Sequence, residues 1–179
     1  MRYRVSMPEP HSHLFEVEME VERPGQAPVL ALPVWTPGSY LVREFSRHLE
    51  GLAADDGSGR ALAVTRLDKH RFRVEAAGAE RLRLRYRVYA NEPTVRTAHL
   101  DGRHGYFNGA NLFLYAEGRL SEPVELEVAP PPGWHVSTAL EGGPEQRPTA
   151  AAEGEEAPAE AVRERVQDAR GVRGVRPRL

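Results

Sequence analysis

Two stretches of this chain alternate apolar and charged residues without a break. In residues 13–22, Phe15, Val17, Met19 and Val21 fall on one side of an extended backbone, and Glu16, Glu18, Glu20 and Glu22 on the other. In residues 81–89, Leu82, Leu84, Tyr86 and Val88 share one side, and Arg81, Arg83, Arg85 and Arg87 the other. A period of two suits a strand with one buried face and no other regular element. Opposite charges directly across two strands contribute a few tenths of a kcal/mol each, up to about 1, while like charges there repel. The glutamate ladder is therefore expected beside arginines on a neighbouring strand, whether Arg71 and Arg73 or the run from Arg81 to Arg87. The plainer alternative is two solvated faces. An arginine stripe could also meet an acidic partner or nucleic acid, but the interleaved aromatics of such a surface are missing. Residues 3–7, 29–34, 47–52, 61–66, 70–75 and 123–128 also read as strands between Gly, Pro and Asp turn signals. The expected fold is all-β, an antiparallel β-sandwich or strongly curved sheet of about nine or ten strands.

The 179 residues allow one ordinary domain and a remnant. From Glu141 onward there is no aromatic residue, and Ala, Glu, Gly, Pro and Arg dominate. Such a composition buries too little surface to offset its ordering entropy. The division expected is a β domain over residues 1–140 and a tail over 141–179 that is disordered or out of frame, weakly helical at most over residues 159–170 before Gly171. The chain contains no cysteine, which excludes disulfides and thiolate chemistry, and its formal charge of −2 draws neither nucleic acid nor an anionic membrane. The N-terminus shows no apolar leader, so a cytoplasmic address is the default expectation.

A compact corner runs Trp35-Thr36-Pro37-Gly38-Ser39-Tyr40 into Arg43-Glu44-Phe45, with Pro37-Gly38 suited to a type II turn and Ser39 to capping a helical turn. A second block runs Val88-Tyr89-Ala90, then Val95-Arg96-Thr97-Ala98-His99-Leu100-Asp101, then Arg103-His104-Gly105-Tyr106-Phe107-Asn108-Gly109, closing on Leu112-Phe113-Leu114 read as a strand. Long polar loops of this kind usually carry function. Together the two blocks resemble the N-terminal domain of the glycyl-aminopeptidase family of zinc metallopeptidases, family sixty-one, whose members often carry a PDZ domain. The likeness covers residues 3 to about 140, the last part being the strand-like run from Trp134.

That resemblance implies a non-catalytic β domain that packs on a thermolysin-like catalytic domain, itself absent from this chain, and helps wall the cleft for a peptide's N-terminus. Zinc belongs to the full-length family, where a His-Glu-x-x-His helix holds it; this sequence contains no such motif. Expected partners are the catalytic and PDZ domains and a peptide substrate, with no nucleic acid and no membrane. By analogy with distantly similar M1-type aminopeptidases, Asn108 would bind the substrate's free amine, with Gly109 allowing close approach and Tyr106 beside it. Asn108-Gly109 is equally a hairpin turn signal.

No catalytic residue and no metal are expected within this chain, and hence neither stoichiometric zinc nor hydrolysis. His11 and His13 could share a strand face and begin a metal site but lack a third ligand. Asp55, Asp56 and Gly57 lack the further ligands of a calcium loop. Two rival readings remain: a free-standing binding module using the loop over residues 90–111, and a small enzyme using His99, Asp101 and His104.

Overall fold

The computed structural model describes residues 1–36, 39–138, 140 and 162–166, and strands dominate it. In chain order these are β1 (Arg2–Ser6), β2 (Leu14–Glu22), β3 (Val29–Ala31), β4 (Leu49–Asp55), β5 (Ala61–Leu62), β6 (Val64–Arg66), β7 (Arg71–Val74) and β8 (Arg81–Tyr89). There follow β9 (His99–Leu100), β10 (Gly105–Tyr106), a single helical turn α1 (Gly109–Leu112), β11 (Tyr115–Ala116), β12 (Val124–Ala129) and β13 (Val162–Val166). One sheet has seven strands in the order β13-β12-β1-β2-β8-β4-β5, and a second has four in the order β11-β3-β7-β6. β9 and β10 form a separate ribbon. Pairing is antiparallel, apart from β1 with β12, which is parallel.

The two alternating stretches are neighbours. β2 and β8 pair so that Glu16, Glu18, Glu20 and Glu22 stand opposite Arg87, Arg85, Arg83 and Arg81. The pattern spreads outward, because β1 places Arg2 and Arg4 opposite Glu20 and Glu18, and β12 places Glu125 and Glu127 opposite those same arginines. On the other flank, Glu50 and Asp55 of β4 face Arg87 and Arg83. Arg85 bridges Glu18 at 3.3 Å and Asp55 at 2.9 Å, Arg87 reaches Glu50 at 3.1 Å, and Arg2 reaches Glu20 at 3.3 Å. Sign therefore alternates strand by strand across five strands. Each exposed pair contributes little, but register is what the set specifies, since a one-residue slip turns every charge inward. Glu18→Arg, which would set a third arginine between Arg4 and Arg85, is expected to cost about 1 kcal/mol and to lose most of that penalty in high salt. Urea midpoints at low and high ionic strength measure this, and a cost equal to that of Glu18→Gln at both would mean that the ladder is only a solvated face.

The inner faces meet in one core. Val17, Met19, Val21, Leu82, Leu84 and Tyr86 of the large sheet pack with Leu30, Phe72 and Val74 of the smaller one, all fully buried or nearly so. Leu100, Phe107, Leu112 and Leu114 belong to the same cluster, so the second sequence block is built into the core and not draped over it. Burial at about 25 cal/mol per Å² of apolar surface makes this sandwich-like packing the main stabilising term.

Several local expectations give way to tertiary context. The segment read as one strand over residues 61–66 is split at Ala63, β5 pairing with β4 in the large sheet and β6 with β7 in the small one. β4 begins after a 3₁₀ turn, Phe45–His48, and carries a bulge between Glu50 and Ala53 where Gly51 adopts a positive φ of 65° that its lack of a Cβ permits. Ser39 caps no helix; its hydroxyl bonds to the backbone of Leu41. Leu112-Phe113-Leu114 is the end of α1 and its exit, not a strand, and residues 134–138 are irregular, Trp134 and Val136 packing against the core. His11 and His13 do not share a strand face, because Pro10–Ser12 is a 3₁₀ turn closed by His13 at φ 61°. Pro37-Gly38 lies outside the described residues. Of the tail, Val162–Val166 is a strand and not a helix: its backbone pairs with the edge of β12, in a register that sets residue 163 opposite Glu127 and residue 165 opposite Glu125. Val-Arg-Glu-Arg-Val has period two, and an unpaired sheet edge lets it act on that.

Candidate functional site

The two sequence blocks come together at one end of the sandwich. The 3₁₀ turn Phe45–His48 from the first block lies against α1 from the second. Arg47 Nη2 reaches Glu92 at 3.0 Å, and His48 Nε2 lies 3.8 Å from the same carboxylate. Burial, helped by the Arg47 guanidinium and opposed by Glu92, pushes the His48 imidazole below its ordinary value and keeps it neutral. The loop after Glu92 is closed by its own hydroxyls: Thr97 Oγ1 donates to Glu92 O at 2.9 Å, and the Tyr106 hydroxyl donates to Thr94 O. A narrow cleft lined by Phe45, His48, Tyr89, Glu92, Ala98 and Asn111 marks the seam.

Asn108 does not make a hairpin turn. It is the N-cap of α1, its Oδ1 accepting the Ala110 N–H at 3.0 Å, and Gly109 behind it is buried. Asn108 itself is half-buried, and Tyr106 is tied to the 92–97 loop. The three residues named from sequence are thus adjacent, each with a structural partner. Asn111, quoted in the block but given no role there, is the more buried amide at 4% exposure. Its Nδ2 donates to Arg96 O at 3.3 Å, while Oδ1 has no hydrogen-bond partner among the described residues. Only the fold could show that, because α1 turns Asn111 toward the seam.

Beneath the turn, the hydroxyl of Tyr86 donates to Leu112 O at 2.8 Å and accepts from Leu114 N at 3.1 Å, and Tyr3 donates to Leu114 O at 2.6 Å. Strands of the large sheet thereby fix the C-terminal end of the turn that carries Asn111. Within the ribbon and the loop joining its strands, His99, Asp101 and His104 are drawn into one cluster, with His99 Nε2 3.4 Å and His104 Nδ1 3.3 Å from the Asp101 carboxylate. Partial burial alone would raise Asp101; the N–H groups of Arg103 and His104, with the two imidazoles, hold it well below the usual carboxylate range. His11 packs over Gly102, where a Cβ would come within 2.7 Å of its ring, and His13 Nδ1 meets Leu100 O at 2.5 Å. Asp55 Oδ1 and Asp56 Oδ1 accept from the backbone N–H groups of Gly57, Ser58 and Arg60, and their Oδ2 atoms meet the side chains of Arg85 and Arg60.

The Peptidase M61 N-terminal domain family matches residues 2–154. This chain belongs to that family. The match to the M61 domain runs past Leu140, where the sequence likeness was expected to end. Among solved structures, an aminopeptidase N family protein from Idiomarina loihiensis superposes with a TM-score of 0.84 at 30% identity, covering 98% of this chain and 29% of that one. A mutant M1 zinc metallopeptidase from Deinococcus radiodurans bound to a Tyr-Ser-Ala substrate shares the fold at TM-score 0.58 and 13% identity, covering 98% of this chain and 41% of its own. Yeast LTA4 hydrolase does so at TM-score 0.53 and 9% identity, covering 98% and 28%. The M61 domain therefore spans less than half the length of these relatives. None of the curated proteins matches the sequence. Among the described residues of the M61 domain, no helix is long and apolar enough to cross a membrane.

Proposed function

We propose that this M61 N-terminal domain serves a glycyl-aminopeptidase-like zinc peptidase as a non-catalytic wall, packing on the catalytic domain and shaping the cleft that receives a peptide's N-terminus. The observation that carries the reading is the exposed corner. Of the seven large hydrophobic residues exposed among the described positions, four are Trp35, Tyr40, Leu41 and Val42, with Tyr40 wholly in solvent and Val42 at 74%. A patch of this kind on an otherwise charged surface marks an interaction site. The corner leads directly into the 3₁₀ turn that abuts α1, so a partner seated on it would stand beside the Asn108 turn.

The family's catalytic zinc requires a His-Glu-x-x-His helix, and no residues of this sequence fit it. That ion and the hydrolysis belong to the catalytic domain, and this chain alone is proposed to be inactive. Asn108 contributes an amide oxygen with one lone pair left after capping α1, enough to accept a charge-assisted hydrogen bond from a substrate ammonium group, with Tyr106 and buried Gly109 holding the turn in place. The complete enzyme tests the proposal in one comparison. Tyr40→Asp should separate the domain from the catalytic unit and abolish aminopeptidase activity. Asn108→Ala should erase most of the preference for free over N-acetylated peptides, about a tenfold change for 1.4 kcal/mol of lost contact. An unchanged preference with lowered stability would leave Asn108 a helix cap only.

A further inference from the structure

We propose that His99, Asp101 and His104 form a binding site for a single divalent transition ion of the zinc type on the β9–β10 ribbon, independent of the family's catalytic zinc. One ligand atom from each of the three residues lies within 4.8 Å of the others. His99 Nε2 stands 3.4 Å from Asp101 Oδ2 and His104 Nδ1 3.3 Å from Asp101 Oδ1, each separation close to the edge of a tetrahedron with metal–ligand bonds of about 2.0–2.1 Å. The ion is admitted when the partly exposed His104 ring swings to share one carboxylate oxygen with His99.

The ligands are held in advance. His99 is 8% exposed, its ring packed between His104 at 4.9 Å and Tyr106 at 6.5 Å. Asp101 is oriented by the N–H groups of Arg103 and His104, at 2.8 and 2.9 Å to Oδ1. His99 Nδ1 is buried with no hydrogen-bond partner among the described residues, so the carboxylate at Nε2 is the only partner seen for that ring. Without an ion, the proton belongs on Nε2, between imidazole and carboxylate. An ion entering the cluster takes the lone pair at Nε2 while the ring proton moves to Nδ1, and binding to any protonated imidazole releases that proton to solvent.

Two imidazoles and one carboxylate select zinc, nickel, cobalt or copper over calcium and magnesium, which prefer oxygen donors throughout. Three protein ligands leave a fourth position open. It faces solvent, since the side chain of His104 is 41% exposed, and Arg103, which approaches Asp101 Oδ2 at 3.5 Å, is 87% exposed and free to swing clear. The ion would join β9 to the loop that leads into Tyr106 and Asn108, stiffening that arm. This reverses the expectation of a metal-free chain. Sequence placed the two histidines five residues apart with no element to bring them together; the ribbon's tight reversal does so.

The test uses the whole untagged chain, stripped with chelator and titrated with zinc in a calorimeter, with cobalt absorption as a second readout. One equivalent of zinc should bind saturably, cobalt should give the intense visible bands of a tetrahedral site, and His104→Ala should weaken zinc at least tenfold, no less than loss of a mere supporting partner costs. His11→Ala, beside the cluster but outside its ligand set, should leave affinity unchanged. Absence of saturable binding, equal affinity in wild type and His104→Ala, or loss that follows His11 instead would overturn the proposal. Circular dichroism of His104→Ala shows that the fold is intact, and His104→Gln, which keeps the side-chain bulk, repeats the comparison should alanine disturb the loop.

Discussion

Phe107→Ala is expected to cost about 3–5 kcal/mol of folding stability. Phe107 is 2% exposed and stands edge-on to Phe15 of β2 at 5.3 Å and to Phe113 at 5.8 Å, and Phe113 in turn meets Tyr3 at 4.8 Å. This line of rings carries the core from the large sheet to α1. Removing Phe107 deletes a fully buried side chain from inside this line and leaves a cavity that close-packed neighbours fill only in part. Against a total stability of about 5–15 kcal/mol for a domain of this kind, the variant should be near its unfolding threshold at room temperature. Urea denaturation read with an unchanged slope measures the loss. Phe107→Leu, which refills most of the volume, should cost less than about half as much. A loss below about 1 kcal/mol in Phe107→Ala would show that the loop carrying Asn108 does not depend on the core.

Tyr86→Phe should cost about 2–4 kcal/mol, because the one hydroxyl satisfies two buried backbone groups and each, left alone, costs about 1–3 kcal/mol. The groups are Leu112 O and Leu114 N, in residues with no exposure at all. Tyr3→Phe should cost less, since it leaves only Leu114 O without this donor. Burial pushes the Tyr86 phenol well above its ordinary value, so the folded protein keeps the proton that the unfolded chain gives up above about pH 10. A raised folded value means that the stabilisation is fully present below that pH and falls as pH rises beyond it. Alkaline unfolding of the wild type should therefore be steeper than that of Tyr86→Phe. Identical alkaline slopes, or a cost no greater than that of Tyr3→Phe, would remove Tyr86 from its place as the clamp on α1.

Both predictions act on the same few residues, those from Tyr106 to Leu114, and they show how support and site are divided. The core side of that segment is Phe107, Leu112 and Leu114; Asn111 lines the seam, and Asn108 caps the turn that carries it. A single turn of helix is long enough to alternate the two. Stability measurements on Phe107 and Tyr86 thus also report how firmly the amides are presented, a link that Asn108→Ala in the complete enzyme would expose as a change in substrate preference without a comparable loss of fold.

Period-two patterning by itself determined that β2 and β8 are strands, which of their faces is buried, and that glutamates would lie against arginines, because strand geometry turns alternation directly into two faces and charge repulsion forbids the other registers. The two motif blocks likewise showed the family before any coordinates, since their residues and order survive in the chain itself. What only the tertiary structure decided involves residues whose neighbours come from elsewhere. Ala63 became a crossing between sheets because two different edges were available to five residues. Asn108 became a helix cap because Tyr86 and Tyr3 claim the carbonyls and N–H beyond it. Val162–Val166 took an extended form because the edge of β12 offers hydrogen bonds that local composition could not reveal. His99, Asp101 and His104 are one cluster because a two-residue ribbon folds back on itself, a distance that no spacing rule in the sequence encodes.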